Sequence, residues 1–257
     1  MSDKPVTFWE HLEQLRWAIL RSLGIVVVFA VLAFCMKDWL FAVVLAPRGS
    51  DFVTFRLMGG EPFHLQLVNT ALTEQFMTHM RVAAYAGLLC GVPYILYEMF
   101  RFVSPGLYQN ERRAATWVVG SAYVMFMVGT LINYFIIFPL TVRFLGTYQV
   151  ADDVANMLTL QSYVDTLITM CLVIGVVFEL PVVCAIMGRM GVVNGGMMRR
   201  FRRHAVVAIL IVAAIITPTT DIFTLMIVSL PIWLLYEASI LIVPGQTRPL
   251  PKGGELK

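Results

Sequence analysis

The sequence predicts an all-α polytopic membrane protein with six transmembrane helices, and three observations predict it. Hydrophobic residues make up 59% of the 257-residue chain and charged residues only 14%, against roughly 45–50% and about 25% in ordinary soluble domains. The apolar residues gather into runs close to the about 20 residues that cross roughly 30 Å of hydrocarbon. Lysine and arginine collect in alternate loops, as the positive-inside rule requires of a multi-span chain. The mean hydropathy of +0.78 excludes disorder, and a soluble globule needs more polar surface than this to cover its core. A net charge of +3 does not support nucleic-acid binding. Four cysteines are too few for a secreted disulfide scaffold.

The first span is expected over Trp17–Met36, with Arg21 near its start. Its acidic, amphipathic approach, its length and the lack of a small-residue cleavage site distinguish it from a signal peptide. The stretch from Lys37 to Gln75 holds Pro47, Gly49, Gly59, Gly60 and Pro62, and reads as a turn-rich extramembrane segment. The second span is expected over Phe76–Val103 and contains Pro93; the third, Ala114–Phe138, carries no charge. The fourth, Tyr163–Gly188, contains Asp165 and Glu179. The fifth, Ala205–Thr217, rises only about 20 Å at 1.5 Å per residue. It is tied to the sixth, Ile222–Val243 with Pro231 and Glu237, by the short link Pro218-Thr219-Thr220-Asp221. Short helices five and six therefore read as a hairpin that stops before the far surface. The alternative is that Arg202, Arg203 and His204 snorkel and lengthen the fifth helix.

Of the 19 basic residues, 14 fall on one side: Lys4, Arg16, Arg21, Arg101, Arg112, Arg113, Arg189, Arg199, Arg200, Arg202, Arg203, Arg248, Lys252 and Lys257. Both termini are then cytoplasmic, in agreement with an even number of spans. The organisation is a cytoplasmic amphipathic segment over 1–16, a transmembrane domain over 17–243 and a disordered Pro/Gly-rich tail over 244–257. No internal repeat is visible, which counts against an inverted-repeat small-molecule transporter. No H-E-x-x-H, G-x-S-x-G or phosphate-binding glycine loop occurs, which counts against an intramembrane enzyme, and no cofactor or metal is expected. Cys35, Cys90, Cys171 and Cys184 read as small buried hydrophobes.

The few polar residues carry the functional question. Glu179 stands mid-span, two residues before Pro181. A carboxylate at that depth costs several kcal/mol unless it is paired, protonated or wetted, and proline frees a backbone carbonyl beside it. Two readings stand: a binding or proton site for a partner helix, or an internal structural hydrogen bond. Interface snorkelling accounts for Glu98 and Glu237 near span ends. Before the first span, Phe8, Leu12 and Leu15 form an amphipathic stripe whose polar face carries Glu10, Glu13, Gln14 and Arg16. In the loop after the second span, Glu111 opens the next helix, where the macrodipole favours an acid.

Taken together, these segments resemble the TatC family, the polytopic subunit of the twin-arginine protein translocase. The resemblance rests on His11-Leu12-Glu13-Gln14-Leu15-Arg16, Ala46-Pro47, Pro93-Tyr94-Ile95-Leu96-Tyr97, and Phe102-Val103-Ser104-Pro105-Gly106-Leu107-Tyr108 through Glu111-Arg112-Arg113. It continues with Tyr134-Phe135, Phe138-Pro139-Leu140, Phe178-Glu179-Leu180-Pro181, Thr217-Pro218 with Asp221, and Pro231 with Glu237. These motifs follow the family's order over about residues 8–243.

The resemblance implies a glove-shaped six-helix protein of the bacterial inner membrane that moves folded proteins using the proton-motive force. It implies recognition of signal peptides bearing two consecutive arginines, by Glu111 with Glu13, Gln14, Arg16, Phe102 and Leu107. It also implies binding of single-span TatA- and TatB-type partners through Glu179, Pro47, Asp221 and Thr224, within a complex that holds several copies of this chain. Two positions depart from the family pattern. Gln14 stands where the family has Glu, with Glu13 next to it but about 100° around the helix, and Leu225 stands where the family commonly has Gln.

Overall fold

The computed structural model describes residues 8–58, 65–103, 112–148, 157–217 and 221–243. The chain forms two compact units, Met1–Gly175 and Val176–Lys257. Helices dominate both.

In the first unit α1 (Phe8–Cys35) is one uninterrupted helix of 28 residues, so the amphipathic approach and the first span are a single element. It packs along α4 (Glu74–Val103), which runs through Pro93. The approach is closest at Gly87 and Gly91, one turn apart on α4. A Cβ on Gly87 would lie 2.5 Å from the Ala30 nitrogen and 2.6 Å from the Val26 carbonyl oxygen, and one on Gly91 would lie 2.9 Å from a Val26 methyl. Hydrocarbon gives helices no hydrophobic reason to associate, so close backbone packing at small residues supplies it. Aromatic stacks close both ends of the pair: His11 on Phe102 and Phe34 on His79, each with centroids 4.1 Å apart.

The segment expected to be turn-rich contains two helices, α2 (Lys37–Leu45) and α3 (Val53–Met58), joined through a 3-10 turn over Ala46–Arg48. Pro47 is buried in that turn, and its missing N–H ends α2. Two tyrosines from other helices take up the carbonyls at this end: the Tyr134 hydroxyl donates to Val43 at 2.6 Å and the Tyr163 hydroxyl to Val44 at 3.1 Å.

The third span also runs further than expected. After α5 (Arg112–Ile132) the helix widens into a π turn over Asn133–Ile137 and continues as α6 (Phe138–Thr147), past the expected end at Phe138. Pro139 offers no N–H to the carbonyl four residues back, Phe135, and its ring crowds that carbonyl. The widened turn relieves the crowding, and the Thr54 hydroxyl donates to the Phe135 carbonyl in place of the missing amide.

Two residues of strand on each side, β1 (Leu67–Val68) and β2 (Leu158–Thr159), pair in parallel, Leu67 with Leu158 and Val68 with Thr159. They add a small sheet to an otherwise helical protein. Beside them α7 (Leu160–Val177) begins.

In the second unit the chain breaks at Phe178-Glu179 and restarts as α8 (Leu180–Arg189), with Pro181 in its first turn. A left-handed residue, Gly191 at φ 75°, turns the chain. Next comes the short α9 (Gly195–Arg200), capped by the Asn194 side chain, which accepts from the Met197 amide at 2.6 Å. α10 (Arg202–Ile216) has 15 residues, roughly 22 Å of rise. It therefore starts at Arg202 rather than Ala205, yet stays shorter than the hydrocarbon core. α11 (Ile222–Ile242) has 21 residues, so of the two helices expected to be short only the fifth is. Five helical stretches among the described residues are long and apolar enough to span: Trp9–Cys35, Glu74–Phe102, Val118–Thr147, Leu160–Arg189 and Ile222–Ile242. The tail over 244–257 lies outside the described residues.

Candidate functional site

The His11–Phe102 stack sets the first polar constellation. It brings the first turns of α1 to the last turn of α4, immediately before the loop that carries Glu111. Glu13, Gln14 and Arg16 are all exposed on α1, and Arg16 lies 5.4 Å from the Trp17 ring centroid in a cation–π contact. Phe102 is half-buried. Glu111 and Leu107 lie outside the described residues. An exposed carboxylate beside a neutral amide can accept a guanidinium fork in charge-assisted bonds that an ammonium does not reproduce.

Deeper along the same helix pair, Glu98 does not snorkel as the sequence suggested. It is buried, accepting from the Tyr94 hydroxyl at 2.8 Å and from Arg21 at 3.4 Å. The apolar α1–α4 seam surrounds its stem, so pairing inside the seam satisfies it better than reaching for water. Glu237, in the second unit, pairs with Arg202 at 2.5 Å.

Glu179 sits at the break before α8. Its backbone carbonyl accepts from Val183 at 2.9 Å, while its side chain caps nothing. The Oε1 atom is buried without a hydrogen-bond partner among the described residues. Such an atom is an open demand for a donor.

Asp221 and Thr224 do come together, in the first turn of α11. The Asp221 carboxylate accepts from the Thr224 amide at 2.7 Å and acts as the helix N-cap. Thr224 is fully buried, and its hydroxyl oxygen has no hydrogen-bond partner among the described residues. Pro47 belongs to the first unit and serves the end of α2 described above.

Three polar contacts escaped the sequence analysis. Glu74 is buried, and its carboxylate accepts from the Thr70 amide at 2.7 Å, the Thr70 hydroxyl and Ala71 amide at 3.1 Å, and the Gln161 amide at 3.0 Å. It thus ties the start of α4 to the start of α7. Arg81 and Asp165 strengthen the same end with contacts of 2.8 and 2.6 Å. Asn133 is fully buried in the π turn and donates to the Cys171 sulfur at 3.1 Å. An acid in a helix's first turn and an amide inside an apolar run were the available signals. Among the described residues no cluster of His, Cys, Asp or Glu gathers as a metal would need.

These elements define a polytopic helical membrane protein whose polar groups are placed for protein contacts in and beside its spans. Comparison with known proteins narrows that class. Residues 10–231 match the family of the Sec-independent protein translocase protein TatC. The chain is 34% identical over 236 residues to the TatC of Deinococcus radiodurans, covering 91% of this chain and 84% of that one. It is 35% identical over 239 residues to the TatC of Desulforapulum autotrophicum, covering 93% and 84%. Among solved structures, a crystal structure of the twin arginine translocase receptor TatC superposes with a TM-score of 0.74 at 27% identity, covering 91% of this chain and 97% of that one. The chain belongs to the TatC family and is a subunit of the Sec-independent, twin-arginine protein translocase.

Proposed function

We infer that this subunit is the signal-peptide receptor of a twin-arginine translocase in a bacterial cytoplasmic membrane, with both termini on the cytoplasmic side. Glu111 holds the two signal arginines, with Glu13 or Gln14 supplying the second acceptor and Arg16, Phe102 and Leu107 shaping the surface around them. The observation that supports this reading is the His11–Phe102 stack, which holds the part of α1 with the exposed Glu13 and Gln14 against the last turn of α4, from which the chain runs on to Glu111. Two acceptors near one another suit two adjacent guanidinium groups, each charge-assisted bond contributing about 1.5–3 kcal/mol.

The subunit performs no covalent chemistry in this reading. It works with single-span TatA- and TatB-type partners and with further copies of itself, and the proton-motive force drives transport. Glu179, with its buried and unsatisfied oxygen, offers an acceptor to a polar group on a partner helix. Pro47, Asp221 and Thr224 complete the partner contacts.

Site-specific crosslinking of an Arg-Arg signal peptide, with a Lys-Lys peptide as control, tests the receptor assignment. Glu111→Ala and Glu111→Lys are expected to lower crosslinking and export of an Arg-Arg reporter at least ten-fold (~1.4 kcal/mol per ten-fold). Normal export by both variants overturns the role of Glu111.

A further inference from the structure

From Leu180 to Thr220 the chain contains no Asp or Glu, yet it carries Arg189, Arg199, Arg200, Arg202, Arg203 and His204. All six are exposed. Five of them fall in α9 and the first turn of α10, at the end of the fifth, short span, and Arg189 closes α8. Among the described residues only Arg202 has a carboxylate, Glu237. Arg189, Arg199, Arg200 and Arg203 have none there.

The placement of two of these charges works against α10. Arg202 and Arg203 occupy the first turn of α10, where the positive end of the macrodipole disfavours a cation. Arg199 and Arg200 close α9 and Arg189 closes α8, ends where the macrodipole favours a cation, yet Arg199 and Arg200 also raise the positive charge just before the start of α10. Positive-inside placement asks only for basic residues in the loop, and does not ask for them at a helix N-terminus. Glu237 answers Arg202, but no carboxylate among the described residues answers Arg203 or the other exposed arginines beside it, and such uncompensated positive charge points to an external anion. The cationic region of an Arg-Arg signal peptide is repelled by such a surface.

Apolar side chains stand among the arginines: Phe201 is 48% exposed and Met197 39%. A soluble phosphate has no use for them, whereas a lipid brings an anionic headgroup and acyl chains together at the depth where α10 begins. We propose that Arg189, Arg199, Arg200 and Arg203, with Phe201 and Met197, form a docking site for anionic phospholipid headgroups at the foot of α10. Because α10 is shorter than the hydrocarbon core, lipid held there also covers the end of a span that cannot reach both interfaces unaided.

The test is lipid retention by the full-length protein in detergent, stripped of endogenous lipid and titrated with phosphatidylglycerol or phosphatidylcholine under native mass spectrometry. Phosphatidylglycerol is expected to bind and phosphatidylcholine to be lost. One basic residue at an anionic surface changes affinity about five-fold, so R199Q/R200Q/R203Q is expected to weaken phosphatidylglycerol binding on the order of a hundred-fold. R199K/R200K/R203K, which keeps the charge, retains it. The single variant R200Q, with an expected five-fold loss, keeps the measurement valid if the triple glutamine variant does not fold. Equal retention of both lipids, or phosphatidylglycerol binding unchanged in the glutamine variants, overturns the proposal. So does displacement of the lipid by a poly-glutamate peptide at far lower charge concentration, which assigns the surface to an acidic protein segment.

Discussion

Glu98 shows how a single carboxylate is kept in an apolar seam. Tyr94, one turn earlier on α4, and Arg21 on α1 both donate to its Oε1 atom. Removing the acid takes the acceptor from Tyr94 and the partner from Arg21, whose side chain is half exposed and can turn to solvent. Hydrogen bonds between membrane helices contribute about 0.6–2 kcal/mol, so Glu98→Ala is expected to lower stability by about 1–2 kcal/mol, read from unfolding in mild detergent. Glu98→Gln keeps an acceptor for Tyr94 and is expected to lose less; equal losses would mean that the charge on Arg21 carries the pair. The Glu13–Gln14 pair sets the complementary problem, an exposed acid beside the position where the family pattern has one. Helix α1 is unbroken through both residues, so their side chains stay about 100° apart. If Glu13 supplies the charge missing at Gln14, Glu13→Ala is expected to reduce Arg-Arg reporter export several-fold and more than Gln14→Ala does. The reverse ranking would leave Gln14 as a neutral acceptor and Glu111 as the only charge.

At the scale of elements, the α1–α4 pair is held by backbone proximity rather than by large side chains. A Cβ on Gly87 meets backbone atoms of α1 at 2.5–2.7 Å, and backbone cannot rotate away as a side chain tip can. Gly87→Ala is expected to cost about 1–3 kcal/mol, the range for overpacking, and Gly87→Leu to separate the helices. Gly24→Ala on α1, where an added methyl meets nothing, is the control, and thermal unfolding of the three variants checks the order. This seam was written in the sequence as Gly87-x-x-x-Gly91, but hydropathy alone does not say which helix a glycine face meets. The apolar runs located the spans because length and hydrophobicity decide them locally. The π turn at Asn133–Ile137 was less legible: Pro139 reads as a stop, and only Thr54, far away in sequence, supplies the donor that lets the helix pass. The Glu74 clamp hides for the same reason, since its Gln161 donor is many residues distant. At the candidate site, the motif residues of α1 were readable one by one. Their approach to the last turn of α4 depends on a His11–Phe102 stack that only the folded chain reveals.

For the whole molecule, charge and span length together predict how the chain lies in the bilayer. The basic residues assigned to one side number 14 of 19, and those on the described helices are consistent with one arrangement. Arg16 stands in the third turn of α1 and Arg21 near its middle, Arg101 in the last turn of α4, Arg189 in the last turn of α8, and Arg202 and Arg203 in the first turn of α10. Arg48, Arg56, Arg81 and Arg143 stand at the opposite ends of the same spans or between them. A short α10 leaves the alternation intact only if it still crosses, because a re-entrant fifth helix would carry the C-terminus to the other side. Membrane-impermeant thiol labelling of a cysteine-free background separates these cases. Asp51→Cys, between Ala46–Arg48 and α3, is expected to react in intact cells, while Gly196→Cys in α9 reacts only after permeabilisation, and a thiol added after Lys257 behaves like Gly196→Cys. A C-terminal thiol that labels with Asp51→Cys would make α10 re-entrant and leave five crossings, the number that length and apolarity admit among the described residues. Reaction of Gly196→Cys in intact cells would instead invert the molecule and remove Glu13 and Gln14 from the side where an unexported protein presents its signal.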